Sequence, residues 1–90
     1  MLNLRALEVF LAVVDQGSFA AAGEAIGLTQ SAISLQIKAL EQDFETVFFD
    51  RSKRPPVLNA DGALLAQKSR QMLEQFHELK QSFIERHYSG

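Results

Sequence analysis

The sequence contains no cysteine, which excludes a disulfide framework and any zinc site built on cysteine thiolates. This absence is typical of cytosolic proteins, and we expect a cytoplasmic location. No apolar run approaches the length that a membrane span needs. The first residues also lack a basic segment followed by a signal-type apolar stretch, so we expect no targeting peptide.

A strong positive charge is missing as well. Nine Lys and Arg residues stand against eleven Asp and Glu residues, and the net charge of −2 weighs against indiscriminate nucleic-acid binding. The 90 residues are 47% apolar, which suits one small domain with a modest core. Because a chain of this size buries only about 60% of its unfolded surface, we expect extra stabilisation from a partner subunit.

The motifs of common catalytic sites are also absent. The sequence has no nucleophile elbow, no phosphate-cradling glycine loop and no His-Glu-x-x-His zinc motif. Glu74 and His77 have the spacing of a di-iron half-site, but no second such pair exists, and a solvated helix face explains them better. We therefore expect no enzyme activity, no cofactor and no metal.

What the sequence does contain is a series of helical apolar stripes. After Asn3, a candidate N-cap, apolar residues recur at i, i+3, i+4 and i+7 and predict an amphipathic helix that ends near Gly17. A shorter apolar stripe follows Ser18, a second candidate N-cap, and stops at Gly27, which tolerates positive φ. The two stripes consist of Leu7, Phe10, Leu11 and Val14, and of Phe19, Ala22, Ala25 and Ile26.

Thr29 is the N-cap candidate of a third helix, which we expect to run to about Asp43. Its stripe of Ile33, Ile37, Leu40 and Phe44 must face a core. The opposite face is polar or basic, and no acidic residue occurs from 25 to 40, so a phosphate-rich surface can approach it. A helix, a tight turn and a helix with such a face indicate DNA binding. The candidate contacts on this element are Gln30, Ser31, Ser34, Leu35 and Lys38.

The stretch from 46 to 58 predicts a short strand, a basic turn and a second short strand, which is the pattern of a wing. Its cations are Arg51, Lys53 and Arg54, and beside a helix-turn-helix we favour phosphate contact over a merely solvated loop. For Arg51 an ion pair with Glu41 or Asp50 is the alternative.

From Asn59 onward a single long helix is predicted. Apolar or small residues alternate at spacings of 4 and 3, which is heptad-like. A helix of this length exceeds what the preceding core can cover, so we expect its far half to form a dimer interface. The residues at these spacings are Leu65, Ser69, Met72, Phe76, Leu79 and Phe83, of which all but Ser69 are candidate dimer contacts.

The whole chain resembles the amino-terminal domain of the LysR-type transcriptional regulators. Its helix-turn-helix matches that family's pattern at Gly17, Ser18, Phe19, Ala22, Thr29, Gln30, Ala32, Ser34, Gln36, Ile37, Lys38, Leu40 and Glu41. The later matches are Phe49-Asp50-Arg51, Arg54 and Leu58-Asn59-Ala60-Asp61-Gly62. The mild departures are Gly23, Asn59 and Asp61, together with Leu35, where the family often carries Arg.

A larger departure is Phe44-Glu45, where the family usually has Leu-Gly. A helix end normally favours glycine, so Glu45 must either adopt a left-handed conformation or force another cap.

The resemblance implies a mainly α winged helix-turn-helix with a short two-stranded wing and a long C-terminal linker helix. Residues 1–58 would bind DNA, with the recognition helix (about 29–43) in the major groove, and residues 59–90 would link and dimerise. It also implies that Ser18 and Thr29 lie near DNA, and that a homodimer binds an inverted-repeat site in double-stranded DNA. The family normally continues into an effector-sensing domain.

The competing interpretation is a protein-interaction module. In that case the helix-turn-helix is only packing architecture, and the long helix binds a partner protein. The net acidity of the chain is its main support.

Overall fold

Side-chain caps and glycines divide the chain into its helices. The structure is a computed structural model that describes residues 3–88. In this range the chain forms four helices and one two-stranded antiparallel sheet, which confirms the predicted fold class. The elements are α1 (Leu4–Gln16), α2 (Phe19–Ile26), α3 (Gln30–Phe44), β1 (Phe49–Asp50), β2 (Val57–Leu58) and α4 (Ala60–Tyr88).

The three predicted N-caps are confirmed. The side-chain oxygens of Asn3, Ser18 and Thr29 each accept a hydrogen bond from the backbone N–H three residues later, at 2.8 to 3.0 Å. These bonds satisfy donors that the first helical turn leaves without a partner. At the other ends, Gly17 and Gly27 close α1 and α2 with φ of 84° and 75°, a region that favours glycine.

The core lies where α1, α2 and α3 meet and where the start of the wing covers them. Phe10 is fully buried, and its ring makes edge-to-face contacts with Phe48 and Phe49 at centroid distances of 5.8 and 5.7 Å. Phe19 adds a third such contact, with Phe49 at 5.3 Å. These arrangements suit aromatic quadrupoles and join the wing to the helices. The remaining buried hydrophobics are Leu7, Val9, Leu11, Val13, Ala22, Ile33, Ile37, Leu40 and Ala66.

Two residues of the predicted apolar stripes lie outside this core. Phe44 is 43% exposed, so the prediction that it completes the stripe of α3 is wrong. It is the last residue of α3, one turn past Leu40, and its ring contacts Phe48 at the rim of the core instead. Ala25 of α2 is exposed as well.

The turn between α2 and α3 depends on a close backbone approach. Leu28 donates its N–H to the carbonyl oxygen of Gly23 at 2.9 Å. A Cβ on Gly23 would collide with the carbonyl oxygen of Leu28. The absence of a side chain at this position therefore permits the tight reversal that places α3 against α2.

The wing joins α4 through Asn59, whose side-chain amide both donates and accepts a hydrogen bond. The Asn59 Nδ2 donates to the Val47 carbonyl at 2.7 Å, while its Oδ1 accepts from the Gly62 N–H at 2.8 Å. The Asn59 N–H also donates to the carbonyl of Phe48. Gly62 lies so close to the Phe48 carbonyl that a Cβ would collide with it. The start of α4 is thus bonded directly to the segment that precedes β1.

The first half of α4 belongs to the core, and the second half leaves it. Ala66 and Ser69 are buried, and Leu65 and Leu73 are partly buried against the core. The Arg70 guanidinium hydrogen-bonds the Asp15 carboxylate at 2.6 Å, which raises the pKa of Arg70 and joins α4 to the end of α1. Beyond this point α4 projects outward, and the molecule measures 55 × 25 × 21 Å.

We find no single helix among residues 3–88 that is long and apolar enough to cross a membrane. Helices α1 and α2 are together long and apolar enough, but the chain bends by 120° between them.

Glu45 takes the left-handed conformation that the sequence left as one of two options, with φ of 54° and ψ of 38°. The Glu45 N–H donates to the Gln42 carbonyl at 3.1 Å, and the Thr46 N–H donates to the Glu41 carbonyl at 3.0 Å. This pair of bonds is the Schellman arrangement that glycine usually supports at a helix end. Helix α3 therefore has the usual hydrogen bonds of a glycine-capped helix end. The capping residue is a glutamate, however, and its Cβ is unfavourable in the left-handed conformation.

We predict that Glu45→Gly raises the free energy of unfolding by about 1 kcal/mol, because it removes the Cβ penalty of the left-handed conformation. Urea denaturation of both proteins measures this difference. Glu45→Ala is the matched control, since it removes the carboxylate and keeps the Cβ. An equal gain in both variants would assign the effect to charge and contradict the backbone explanation.

Candidate nucleic-acid interface

The face of α3 opposite its buried stripe is exposed to solvent. Ile33 and Ile37 are fully buried, and this fixes the rotation of the helix about its axis. Ser31, Leu35 and Lys38 then project outward at spacings of 4 and 3 residues, and all three are exposed. We call these three residues the outer face of α3.

A second group of predicted contacts meets in a groove between the helix-turn-helix and the wing. This wing groove has a volume of about 420 Å³. Six of the ten residues predicted to contact DNA line it, although they come from the starts of α2 and α3 and from the turn of the wing. Its lining residues are Ser18, Phe19, Ala20, Gln30, Ser34, Arg51, Lys53, Arg54, Pro55 and Pro56.

The remaining predicted contacts lie elsewhere. Thr29 is exposed at the start of α3, where its hydroxyl already accepts the capping bond. The other three form the outer face of α3. The structure therefore divides the ten predicted residues between a groove and an adjoining helical face, with Thr29 at the helix start.

Arg51 makes the ion pair that the sequence left as an alternative to phosphate contact. Its guanidinium donates from Nη1 and Nη2 to the two carboxylate oxygens of Glu41, at 3.2 and 3.1 Å. The Glu41 side chain is only 11% exposed, against 39% for Arg51, and one of its oxygens also accepts the Phe48 N–H at 2.8 Å. Glu41 therefore connects the last turns of α3 to both ends of the first wing strand.

Asp50 is a second carboxylate in the wing. The Ser52 hydroxyl and backbone N–H both donate to its Oδ1, and these bonds lower the pKa of Asp50 below its ordinary value. The two bonds from Ser52 to Asp50 order the turn that carries the cations. Within residues 3–88, Lys53 and Arg54 form no ion pair, so their charges are available to an external anion.

Two prolines of the wing groove were not assigned a role from the sequence. Pro55 and Pro56 form part of its wall, after a cis Arg54-Pro55 peptide bond. The only signal in the sequence was their position directly after the basic turn. Among residues 3–88 we find no cluster of three or more His, Asp or Glu side chains suited to a metal ion.

The arrangement of a helix-turn-helix, a basic two-stranded wing and a long final helix agrees with comparisons to known proteins. The sequence model of the bacterial regulatory helix-turn-helix proteins of the lysR family matches residues 4–63. The chain belongs to the LysR family. Its winged helix-turn-helix is accordingly the fold of the family's DNA-binding domains.

One similar relative is the HTH-type transcriptional regulator CzcR of Bacillus thuringiensis (strain Al Hakam). It is 35% identical over 85 residues, which cover 94% of this chain and 28% of CzcR. The HTH-type transcriptional regulator AceR of Acinetobacter baumannii is 36% identical over 80 residues, which cover 89% of this chain and 27% of AceR. The chain thus spans less than a third of the length of these LysR-family relatives.

Solved structures of LysR-family domains show the same architecture. The complex of BenM_DBD with catB site 1 DNA superimposes with a TM-score of 0.90 at 26% identity, covering 93% of this chain and 90% of that chain. The CbnR_DBD–DNA complex gives a TM-score of 0.85 at 32% identity, covering 90% and 93%.

We predict that Arg51→Ala lowers the free energy of unfolding by about 1 to 2 kcal/mol, because it leaves the nearly buried Glu41 carboxylate without its guanidinium partner. Lys53→Ala, the matched control in the same turn, should change stability by less than about 0.5 kcal/mol. Thermal or urea unfolding compares the two. Equal stabilities would show that the pair contributes nothing to holding the wing.

Proposed function

We propose that this chain binds double-stranded DNA in a sequence-specific way, as the DNA-binding part of a LysR-type transcriptional regulator. The observation that carries the proposal is the wing groove. It brings hydroxyl and amide groups from the starts of α2 and α3 next to two cations that have no ion pair within residues 3–88. Such a surface suits a phosphate backbone, which is bound by cations, hydroxyls and helix starts.

The outer face of α3 completes the interface. It adjoins the wing groove through Gln30 and Ser34, and no carboxylate occurs in the sequence from 25 to 40. The nearest acid along the helix, Glu41, is neutralised by Arg51. With α3 in the major groove, Ser31, Ser34 and Lys38 would reach base edges, while Ser18, Thr29, Lys53 and Arg54 would contact the backbone.

The names of relatives support the same function. CzcR and AceR are described as transcriptional regulators, and two similar solved structures are DNA complexes. A regulator of bacterial transcription acts where the chromosome lies, so the proposal includes a cytoplasmic location. It also assigns the chain no catalytic role.

We further propose that two copies of the chain pair through α4. Beyond Arg70, four large apolar side chains are 40 to 55% exposed on one side of the helix, and we call them the distal stripe. They are Met72, Phe76, Leu79 and Phe83. An apolar groove of about 640 Å³ lies on the same side of α4, between the starts of α1 and α4, the end of α3 and the segment before β1. One chain thus offers both an uncovered apolar stripe and an apolar groove to receive it.

The resemblance to the LysR family implies an antiparallel pair, and the spacing of the stripe is compatible with it. From Leu65 to Phe83 the heptad positions are separated by 4, 3, 4, 3 and 4 residues, a series that reads the same in both directions. Two antiparallel copies related by a two-fold axis near Glu74 would place Leu65 opposite the second copy's Phe83. Ser69, a small residue whose buried hydroxyl has no hydrogen-bond partner within residues 3–88, would lie opposite Leu79. The apolar groove would then be filled by the second copy's distal stripe.

This pairing sets the form of the DNA site. A two-fold dimer requires an inverted repeat, with half-sites in successive major grooves about 34 Å apart. In the proposal residues 1–58 contact DNA and residues 59–90 link and dimerise. Because Ala66 and Ser69 are buried in the core, we propose a division of roles between these two ranges and not two separate folding units.

The alternative of a protein-interaction module without DNA binding is not favoured. Its main support was net acidity, but no acidic residue lines the wing groove or belongs to the outer face of α3. The similar DNA complexes weigh against it as well.

Selection of bound sequences from a random duplex pool tests DNA binding, and paired lysine variants test the interface. We predict that Lys38→Ala changes which sequences are enriched and costs about 1 to 3 kcal/mol on the wild-type site, as the loss of a base contact does. Lys53→Ala should weaken binding to all duplexes alike and flatten the salt dependence by about 0.9 log unit. Identical preferences and salt slopes in both variants would contradict the assignment, and a chain that enriches no sequence would refute DNA binding.

We predict that replacing Phe76 and Leu79 together with Glu leaves folded monomers, because the charges would be buried at the α4 seam at a cost of several kcal/mol. Sedimentation measures the change, and binding to a full inverted repeat should fall to the level of a single half-site. The control replaces Gln67 and Gln81 with Glu, which adds the same charge on the opposite side of α4. A double variant that remains dimeric with unchanged affinity would refute the pairing.

A further inference from the structure

Leu35 is the most exposed of the large hydrophobic side chains in residues 3–88, with 68% of its surface accessible. It has no part in the core, because the apolar side of α3 is already supplied by Ile33, Ile37 and Leu40. An isolated exposed leucine on a protein surface is ordinary. This one lies at the centre of the outer face of α3, one helical turn after Ser31 and three residues before Lys38.

We propose that Leu35 recognises the 5-methyl group of a thymine in the major groove, and that each half-site of the bound DNA therefore carries a thymine at one fixed position. The inference rests on the proposed function, since it requires α3 to enter the major groove. It goes beyond that function by identifying one base of the half-site and the side chain that recognises it.

The chemistry of the base edges supports this choice. In the major groove the four bases present hydrogen-bond donors and acceptors, and the thymine methyl is the apolar group among them. A leucine side chain has neither donor nor acceptor, so against any other base edge it would remove water from polar groups without replacing their bonds. Contact with the methyl group instead buries apolar surface on both partners.

The surroundings of Leu35 support DNA over a protein partner at this point. Its neighbours on the same face are a hydroxyl and an ammonium group. The wing groove, whose Lys53 and Arg54 form no ion pair within residues 3–88, adjoins it. The apolar surfaces suited to a protein partner, the apolar groove and the distal stripe, involve the end of α3 and α4 instead. Leu35 is therefore an isolated apolar group within a polar, acid-free surface.

The test replaces thymine with deoxyuridine, which removes only the 5-methyl group and leaves the hydrogen-bonding edges unchanged. A duplex selected by the wild-type chain from a random pool is resynthesised with deoxyuridine at each thymine in turn. At one position per half-site we expect binding to weaken about threefold to fivefold, the equivalent of one lost methyl burial. Substitution in both half-sites should give roughly the square of that factor.

The variant Leu35→Ala then tests whether Leu35 is the residue that contacts the thymine methyl group. This variant should bind the thymine and deoxyuridine duplexes equally, with the salt dependence of the wild type, because the phosphate contacts remain. Val47→Ala, which shortens another exposed apolar side chain outside α3, should keep the full preference for thymine.

The outcomes separate this inference from the proposed function. If the chain enriches no duplex, DNA binding fails and the inference fails with it. If it enriches a site that lacks thymine, or one in which every deoxyuridine is neutral, DNA binding stands and the role of Leu35 is refuted. A preference for thymine that persists in Leu35→Ala would assign the methyl contact to another residue and also overturn the inference.

Discussion

The rotation of α3 about its own axis is the constraint on which the rest of this structure depends. Ile33 and Ile37 are completely buried in the core cluster that also contains Phe10 of α1, so the helix has only one orientation that satisfies its apolar side. That orientation turns Ser31, Leu35 and Lys38 toward solvent in a row. The turn through Gly23 and Leu28 then holds α2 close enough for Ser18 to join Gln30 and Ser34 in one groove. The functional surface is thus a consequence of how the core is filled.

Glu41 extends this constraint to the wing. Its carboxylate accepts hydrogen bonds from the Phe48 N–H and from the two terminal nitrogens of the Arg51 guanidinium. These bonds fix the position of the wing relative to α3. The aromatic contacts of Phe48 and Phe49 with Phe10 also hold the wing in place, because they attach its first strand to the core. The ion pair with Arg51 also neutralises Glu41, the first acidic residue after Lys38 along α3. One interaction therefore positions the wing and lowers the negative charge beside the proposed DNA-binding surface.

Much of this fold was predictable from the sequence because its signals are local. The caps at Asn3, Ser18 and Thr29 require only an N–H three residues away, and the left-handed Glu45 was one of the two outcomes that the sequence left open for that helix end. The choice of Arg51 between Glu41 and phosphate was not predictable, because it depends on how a hairpin folds back over a helix ten residues earlier. The exposure of Phe44 likewise depends on where the core ends. The 3.6-residue period predicts which face of the helix a residue lies on, but not how far the core extends along that face. The meeting of Ser18, Gln30 and Lys53 in one groove needs the three-dimensional packing of all three elements.

The junction at Asn59 and Gly62 has a mechanical consequence. Bonds from Asn59 to Val47, Phe48 and Gly62, and the close contact of Gly62 with the Phe48 carbonyl, leave no hinge between the wing and the first half of α4. In the proposed dimer each winged helix-turn-helix, here called the head, would move with its α4 as one rigid body. The dimer would then change shape mainly through the crossing angle of the two α4 helices. A change of about 10° acting over roughly 20 Å of helix shifts a head by about 3.5 Å. That distance is close to one base-pair step of DNA, about 3.4 Å. A small change of angle at the α4 pair would therefore alter the preferred spacing between half-sites by a whole base pair.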